Sequence, residues 1–184
     1  DLTISTLLPA HLEPGQSSGF DKYHWGVERE VTLLFCDLRG FTRMSEGRLS
    51  FDVVFLLNQF LGRMAEAIED SGGFVDKFMG DGIMALWNAF GNQPDHAELA
   101  IKAAAQMLER LKRLNAQWEG QEDRVPLQIG IGLHTGAAII GNVGSYRRAQ
   151  YTAIGDSVNA ASRIEALTKE FKAPLLISET TAEL

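Results

Sequence analysis

A single cysteine, Cys36, in 184 residues excludes a disulfide within the chain and fits a reducing compartment. There is no excess of positive charge: 17 Lys and Arg stand against 24 Asp and Glu, for a net charge of −7. That balance leaves no electrostatic footprint for nucleic acid, so a polyanionic ligand needs local positive charge or metal ions. No apolar run reaches the roughly 20 residues of a membrane-spanning helix, and no segment reads as a signal peptide. Membrane contact by this segment is not expected, and a cytoplasmic location is. The four histidines, His11, His24, His96 and His134, lack metal-ligand spacing. Internal repeats and low-complexity tracts are absent. The glycines of IGIGLHTG depart from the GxGxxG spacing and lead into no helix, which argues against a dinucleotide site.

What is present reads as one α/β domain. Residues 1–29 form a lead-in and linker, with a turn cluster at EPGQSSG. VTLLFC (Val31 to Cys36) is a β-prone run suited to a strand covered on both faces, with Cys36 as core. A helix is predicted from Ser50 to Ser71, its buried stripe being Val54, Leu57, Leu61, Met64, Ala65 and Ile68. FVDKF and IMALW flank Met79-Gly80-Asp81-Gly82, a hairpin signal. A second helix is expected from Asp95 to Trp118, burying Ala97, Ala100, Ile101, Ala104, Leu108, Leu111 and Leu114. After a charged loop, GQEDR, LQIGIGLHTG reads as a strand and AAIIGNVG as its pairing partner. A third helix begins near Asp156 or Ser157, either of which can be its N-cap, and ends near Phe171. PLLIS is a further strand, and Ser178 caps a last helix. The sum is an α+β sandwich, helices packed on a mixed central sheet.

Two short segments concentrate the chemistry. LFCDLRGFT and DKFMGDGIMA each place an acid, Asp37 or Asp81, where an apolar run meets a glycine turn. Singly, Asp37 reads equally as a local cap or ion-pair partner and Asp81 as a turn residue. Together, two carboxylates at converging strand ends suit a pair of hard divalent ions. Gly40, Phe41 and Thr42 then form a tight turn whose N–H groups can hold phosphate oxygens. Asn159 and Arg163, four apart on the third helix, make a donor array for a sugar oxygen and a phosphate, or else a solvated face with Arg163 paired to Glu165. Lys77 and Thr152 are either routine strand residues or a pair that reads a purine edge. Arg147 and Arg148 belong to a solvated loop, GSYRRAQ.

In this order, REVTLLFCDLRGFT, GGFVDKFMGDGIMALW, IGIGLHTG and QYTAIGDSVNAASRIE resemble the catalytic domain of class III nucleotide cyclases, most of all bacterial adenylate cyclases. The resemblance covers residues 30–184. It implies a ferredoxin-like cyclase fold whose last strands are missing after Leu184, cut from a longer protein with an upstream sensory domain. It implies ATP as substrate, converted to 3′,5′-cyclic AMP and pyrophosphate by attack of the ribose 3′-hydroxyl on the α-phosphorus. Asp37 and Asp81 match the metal-binding aspartates, and Leu38 the residue lending a backbone carbonyl. The cofactors implied are two divalent ions per site, Mg2+ or Mn2+, with Ca2+ admissible at one position. Lys77 and Thr152 match the adenine-reading pair, Asn159 the ribose-orienting asparagine and Arg163 the transition-state arginine. Such enzymes work as head-to-tail homodimers, metal ligands coming from one protomer and base-reading and transition-state residues from the other.

Two positions depart from the family pattern. Thr152 stands where many adenylate cyclases carry Asp, as in the bicarbonate-responsive soluble subset. Gly130 stands where some members carry an arginine for the terminal phosphates, leaving those contacts unassigned. A guanylate cyclase is the nearest alternative, followed by a nucleotide- or bicarbonate-sensing module with little turnover. A diguanylate cyclase comes third, because its GGDEF-type signature is missing.

Overall fold

The computed structural model describes residues 26–46, 49–119, 126–145 and 148–184. In chain order the elements are β1 (Val27–Leu38), α1 (Phe41–Ser45), α2 (Ser50–Asp70), β2 (Phe74–Met79), β3 (Gly82–Trp87), α3 (His96–Gln117), β4 (Ile129–Ser145), β5 (Arg148–Ile154), α4 (Asp156–Phe171), β6 (Leu175–Ile177) and α5 (Glu179–Ala182). The strands run β2-β3-β1-β4-β5 with antiparallel neighbours, and β6 joins β4 in parallel. The mixed sheet with packed helices is as expected.

Strand alternation divides the core into two layers. Leu34, Cys36 and Leu38 of β1 face α2 and α3, together with Ile83, Ala85, Trp87, Ile131 and Leu133. Val31 and Leu33 face the other way, where Ala138, Ile140, Ala153 and Ala161 close a second core beneath α4 and β5. Asp37 shares the parity of Leu33, so its side chain belongs to the α4 side. The strand and two-residue turn around Gly80-Asp81 match the hairpin expectation.

Four details differ from the sequence reading. LQIGIGLHTG and AAIIGNVG form one 17-residue strand rather than a hairpin. The glycines of this strand serve close packing: a Cβ on Gly132 would lie 2.2 Å from the Glu165 backbone nitrogen, and one on Gly136 2.5 Å from Ser157 Oγ. The buried stripe of α2 is Leu56, Phe60, Met64, Ala67 and Ile68. Val54 is exposed, because α2 is rotated to meet both the sheet and α3. In α3, Ile101 and Leu108 are only partly buried, while Ala103 and Met107 complete the stripe. Finally, Gly155, not Asp156 or Ser157, caps α4 with φ 146°, and the Ser157 hydroxyl donates to Ala137 O at 2.7 Å. Ser178 does cap α5, accepting from Thr181 N. The GQEDR loop and Arg147 lie outside the described residues, and Arg148 is exposed at the start of β5.

Candidate active site

Asp37 and Asp81 come together at adjacent strand ends. Asp37 pairs in register with Gly82, the residue after Asp81. A Cβ on Gly82 would sit 3.4 Å from Asp37 Oδ1, so a larger residue there would crowd the carboxylate. Burial pushes the Asp81 carboxyl above the usual range, and the neighbouring Asp37 charge pushes it further. A third acid, Glu165 of α4, faces the same place. Its carboxyl is raised by burial and then by Asp37, with Lys169 and Arg39 holding it back, and its Oε1 is buried without a hydrogen-bond partner among the described residues. The Lys169 ammonium lies 3.8 Å from Asp37 Oδ2, supplying part of the missing positive charge. Crowded, mutually repelling carboxylates with one distant lysine suit a divalent cation, which relieves the repulsion. Among the described residues, no three His, Cys, Asp or Glu side chains form a ready-made metal cage, so any ion here takes ligands beyond these side chains.

The turn after Asp37 depends on Gly40, whose φ of 68° suits glycine, and leads into the short helix α1. Phe41 packs against the α2/α3 core, and Thr42 is exposed. Cys36 is buried as expected, its thiol pushed up chiefly by burial and then by the acids around it.

Lys77 and Thr152 lie on β2 and β5, opposite edges in the strand order, yet they meet. The Thr152 hydroxyl donates to Asp76 Oδ2 at 2.8 Å, and Lys77 Nζ lies 3.2 Å from the same oxygen. Gln150 Nε2 adds a bond to the Asp76 carbonyl at 3.3 Å. The long β4–β5 arm therefore folds back across the sheet onto β2. Tyr151 stacks on Phe90 there, with ring centroids 5.1 Å apart.

Asn159 and Arg163 are both exposed on α4. The sheet-facing side of that helix is Ala161, Glu165 and Thr168, which abut Gly130 and Gly132. Residues two apart on a helix point about 200° apart, so Arg163 turns away from the acids that Glu165 faces. The alternative of an Arg163–Glu165 pair is not what forms: Arg163 makes no ion pair to a described residue. An arginine at position 130 has no room, since even a Cβ would meet Thr168 Oγ1 at 2.3 Å and Arg39 Nη2 at 3.0 Å. A cleft of about 530 Å3 beside this point is lined by Arg39, Lys169 and Lys172, and by none of Lys77, Thr152, Asn159 or Arg163.

Comparison with known proteins decides the family. The family described as "Adenylate and Guanylate cyclase catalytic domain" matches residues 26–184. The chain belongs to this family. An adenylate cyclase of Anabaena cylindrica is 42% identical over 155 residues, which is 83% of this chain and 30% of that protein. The chain thus spans under a third of that relative. The crystal structure of a guanylyl cyclase is similar with TM-score 0.78 and 40% identity, covering 86% of this chain and 79% of the other. The adenylyl cyclase CyaB from P. aeruginosa matches with TM-score 0.79 and 34% identity over 85% and 80% of the two chains. The cyclase architecture expected from the motifs is therefore present.

Within this cyclase domain, sequence reasoning missed Asp76, Glu165 and Lys169 as members of the site. Asp76 was hidden by its neighbour Lys77, and only the fold reveals that it touches Thr152. Glu165 had a usable signal: it stands six residues after Asn159 and two after Arg163, on the opposite face of one helix.

Proposed function

We propose that this domain is an adenylate cyclase, forming 3′,5′-cyclic AMP and pyrophosphate from ATP in a head-to-tail homodimer. The observation that carries the reading is the convergence of Asp37 and Asp81 at paired strand ends, where burial and the Asp37 carboxylate make the Asp81 charge costly. Asp37, Asp81 and the Leu38 carbonyl would hold two divalent ions, Mg2+ or Mn2+. Bound there, such ions supply charge neutralisation of the triphosphate and a lowered pKa for the ribose 3′-hydroxyl.

The chain's own groups do the rest. Backbone N–H groups of the Gly40, Phe41 and Thr42 turn, three to five residues past Asp37, face the phosphates. Lys77 donates to a purine ring nitrogen and Thr152 accepts from the exocyclic amine. Asn159 orients the ribose for in-line attack, a proximity effect. Arg163 donates to the phosphoryl oxygens as charge builds, a contribution worth about 10²–10³-fold in rate. Because Arg163 points away from the acids of its own chain, it serves the acids of a second copy. Exposed apolar side chains at Phe78, Met79, Val143 and Ile154 give that copy a surface to cover. The domain assignment is residues 30–184, preceded by a linker.

A guanylyl cyclase at 40% identity keeps GTP as the second reading. The test is cyclic nucleotide formation from ATP and from GTP with Mn2+, with and without bicarbonate. Cyclic AMP as main product, abolished by Asp37→Ala, supports the proposal. Cyclic GMP as the only product supports the second reading, and appreciable turnover by Asp37→Ala refutes the metal assignment.

A further inference from the structure

The chemistry above uses Lys77 and Thr152 but gives Asp76 no task, and three observations make Asp76 unusual. First, it is a bulged residue. Val75 pairs with Ala85 and Lys77 with Met84, so Asp76 is the extra residue of β2. A regular strand would send Asp76 and Lys77 to opposite faces, whereas the bulge lets both reach one place. Second, its side chain is wholly buried, yet Oδ1 has no hydrogen-bond partner among the described residues. Third, its other oxygen takes both the Thr152 hydroxyl and the Lys77 ammonium.

These contacts set proton positions. A carboxylate only accepts, so Thr152 is the donor in their bond. Threonine has one hydroxyl hydrogen, and here Asp76 holds it. Toward a ligand Thr152 then offers lone pairs alone. Lys77 has three N–H groups and keeps some for the base, donating to the ring nitrogen beside a 6-amino group or to the oxygen of a 6-oxo group. The choice between them falls on the edge at Thr152.

Resting on the adenylate cyclase reading, we infer that Asp76 sets the preference for a 6-amino purine over a 6-oxo purine by holding the Thr152 hydroxyl hydrogen. Asp76 is a positioning residue that acts through Thr152. A lone threonine hydroxyl would donate or accept and would read either purine.

The test compares ATP with inosine triphosphate, which carries a 6-oxo group and lacks the 2-amino group of GTP. Asp76→Asn keeps the side-chain shape, and its amide can donate to Thr152 Oγ1, releasing the hydroxyl hydrogen toward the base. With Mn2+ present, kcat/KM for ATP should fall and that for inosine triphosphate should rise. The ratio of the two should drop about ten- to a hundredfold. Damage to the fold lowers both values and cannot raise one. An unchanged ratio in an active variant overturns the inference and leaves the cyclase reading intact. Preference of the unmodified domain for inosine triphosphate or GTP over ATP sinks the adenylate reading and the inference with it.

Should Asp76→Asn fail to fold, the unmodified domain still decides. Its inhibition by the 3′-deoxy triphosphates of adenosine, purine riboside and inosine should weaken in that order, because an acceptor-only edge favours amino, tolerates hydrogen and repels oxo. Inosine binding as tightly as purine riboside overturns the inference.

Discussion

Mixing two inactive variants tests the shared-site geometry directly. Asp37→Ala removes a carboxylate at the end of β1, and Arg163→Ala removes the exposed guanidinium of α4. On α4, Glu165 faces Asp37 while Arg163 lies about 200° around the helix, so one chain cannot bring both to one substrate. A two-fold dimer then has two sites, each taking acids from one protomer and arginine from the other. In a mixed dimer, one site loses both groups and the other keeps both. Random assortment of equal amounts makes about half the dimers mixed, each with one of two sites intact, for about a quarter of the unmodified activity. Each variant alone should be far below this, Arg163→Ala by about 10²–10³-fold. The assay is cyclic AMP formed per total protein after the variants are co-expressed or unfolded and refolded together, with a tag on each to confirm mixed dimers. Mixed dimers present without recovery, or activity recovered without mixed dimers, would refute the reasoning.

Further outcomes concern the site and the packing. Because burial and Asp37 raise the Asp81 carboxyl, its contribution to stability is full below the unfolded value near 3.8 and is lost as pH rises through the folded value. Thermal melts should therefore find metal-free Asp81→Asn more stable than the unmodified domain at neutral pH, with the gap closing as pH falls below that value. Mn2+ at about a hundred times its Kd should stabilise the unmodified domain by about 2.7 kcal/mol and the variant far less. Gly132→Ala places a methyl group 2.2 Å from the backbone nitrogen of Glu165, which has no side-chain freedom with which to yield, and should cost about 1–3 kcal/mol or more. Gly62→Ala, in the interior of α2 with nothing within 4 Å, should instead stabilise by about 0.4–1 kcal/mol. Urea melts read both, and a neutral Gly132→Ala would contradict the close packing of α4.

The glycines of β4 illustrate where reading the chain stopped. The glycines of LQIGIGLHTG fit the end of one strand before a second or close packing along a single strand; Gly130, Gly132 and Gly136, two or four residues apart on one strand face, make room for α4. Nothing in the local sequence separates those uses, since the partner helix lies some thirty residues away. The start of the α2 stripe was misplaced for a related reason, although Met64 and Ile68 are buried as expected. Periodicity defines that a helix has an apolar side, yet Val54, Phe55 and Leu56 are all apolar, and only the position of the sheet and α3 selects Leu56 for burial.

The order of segments alone determined the family, the strand–turn–strand around Asp81 and the placing of two acids at strand ends, because these rest on residue type and on contacts a few positions apart. Tertiary structure alone decided that β5 folds back to set Thr152 on Asp76, that Glu165 joins the acids while Arg163 leaves them, and that position 130 has no space for a longer side chain. Those facts depend on distances between residues far apart in the chain. Such distances are set by how a curled sheet and its helices fill space, which no local pattern records.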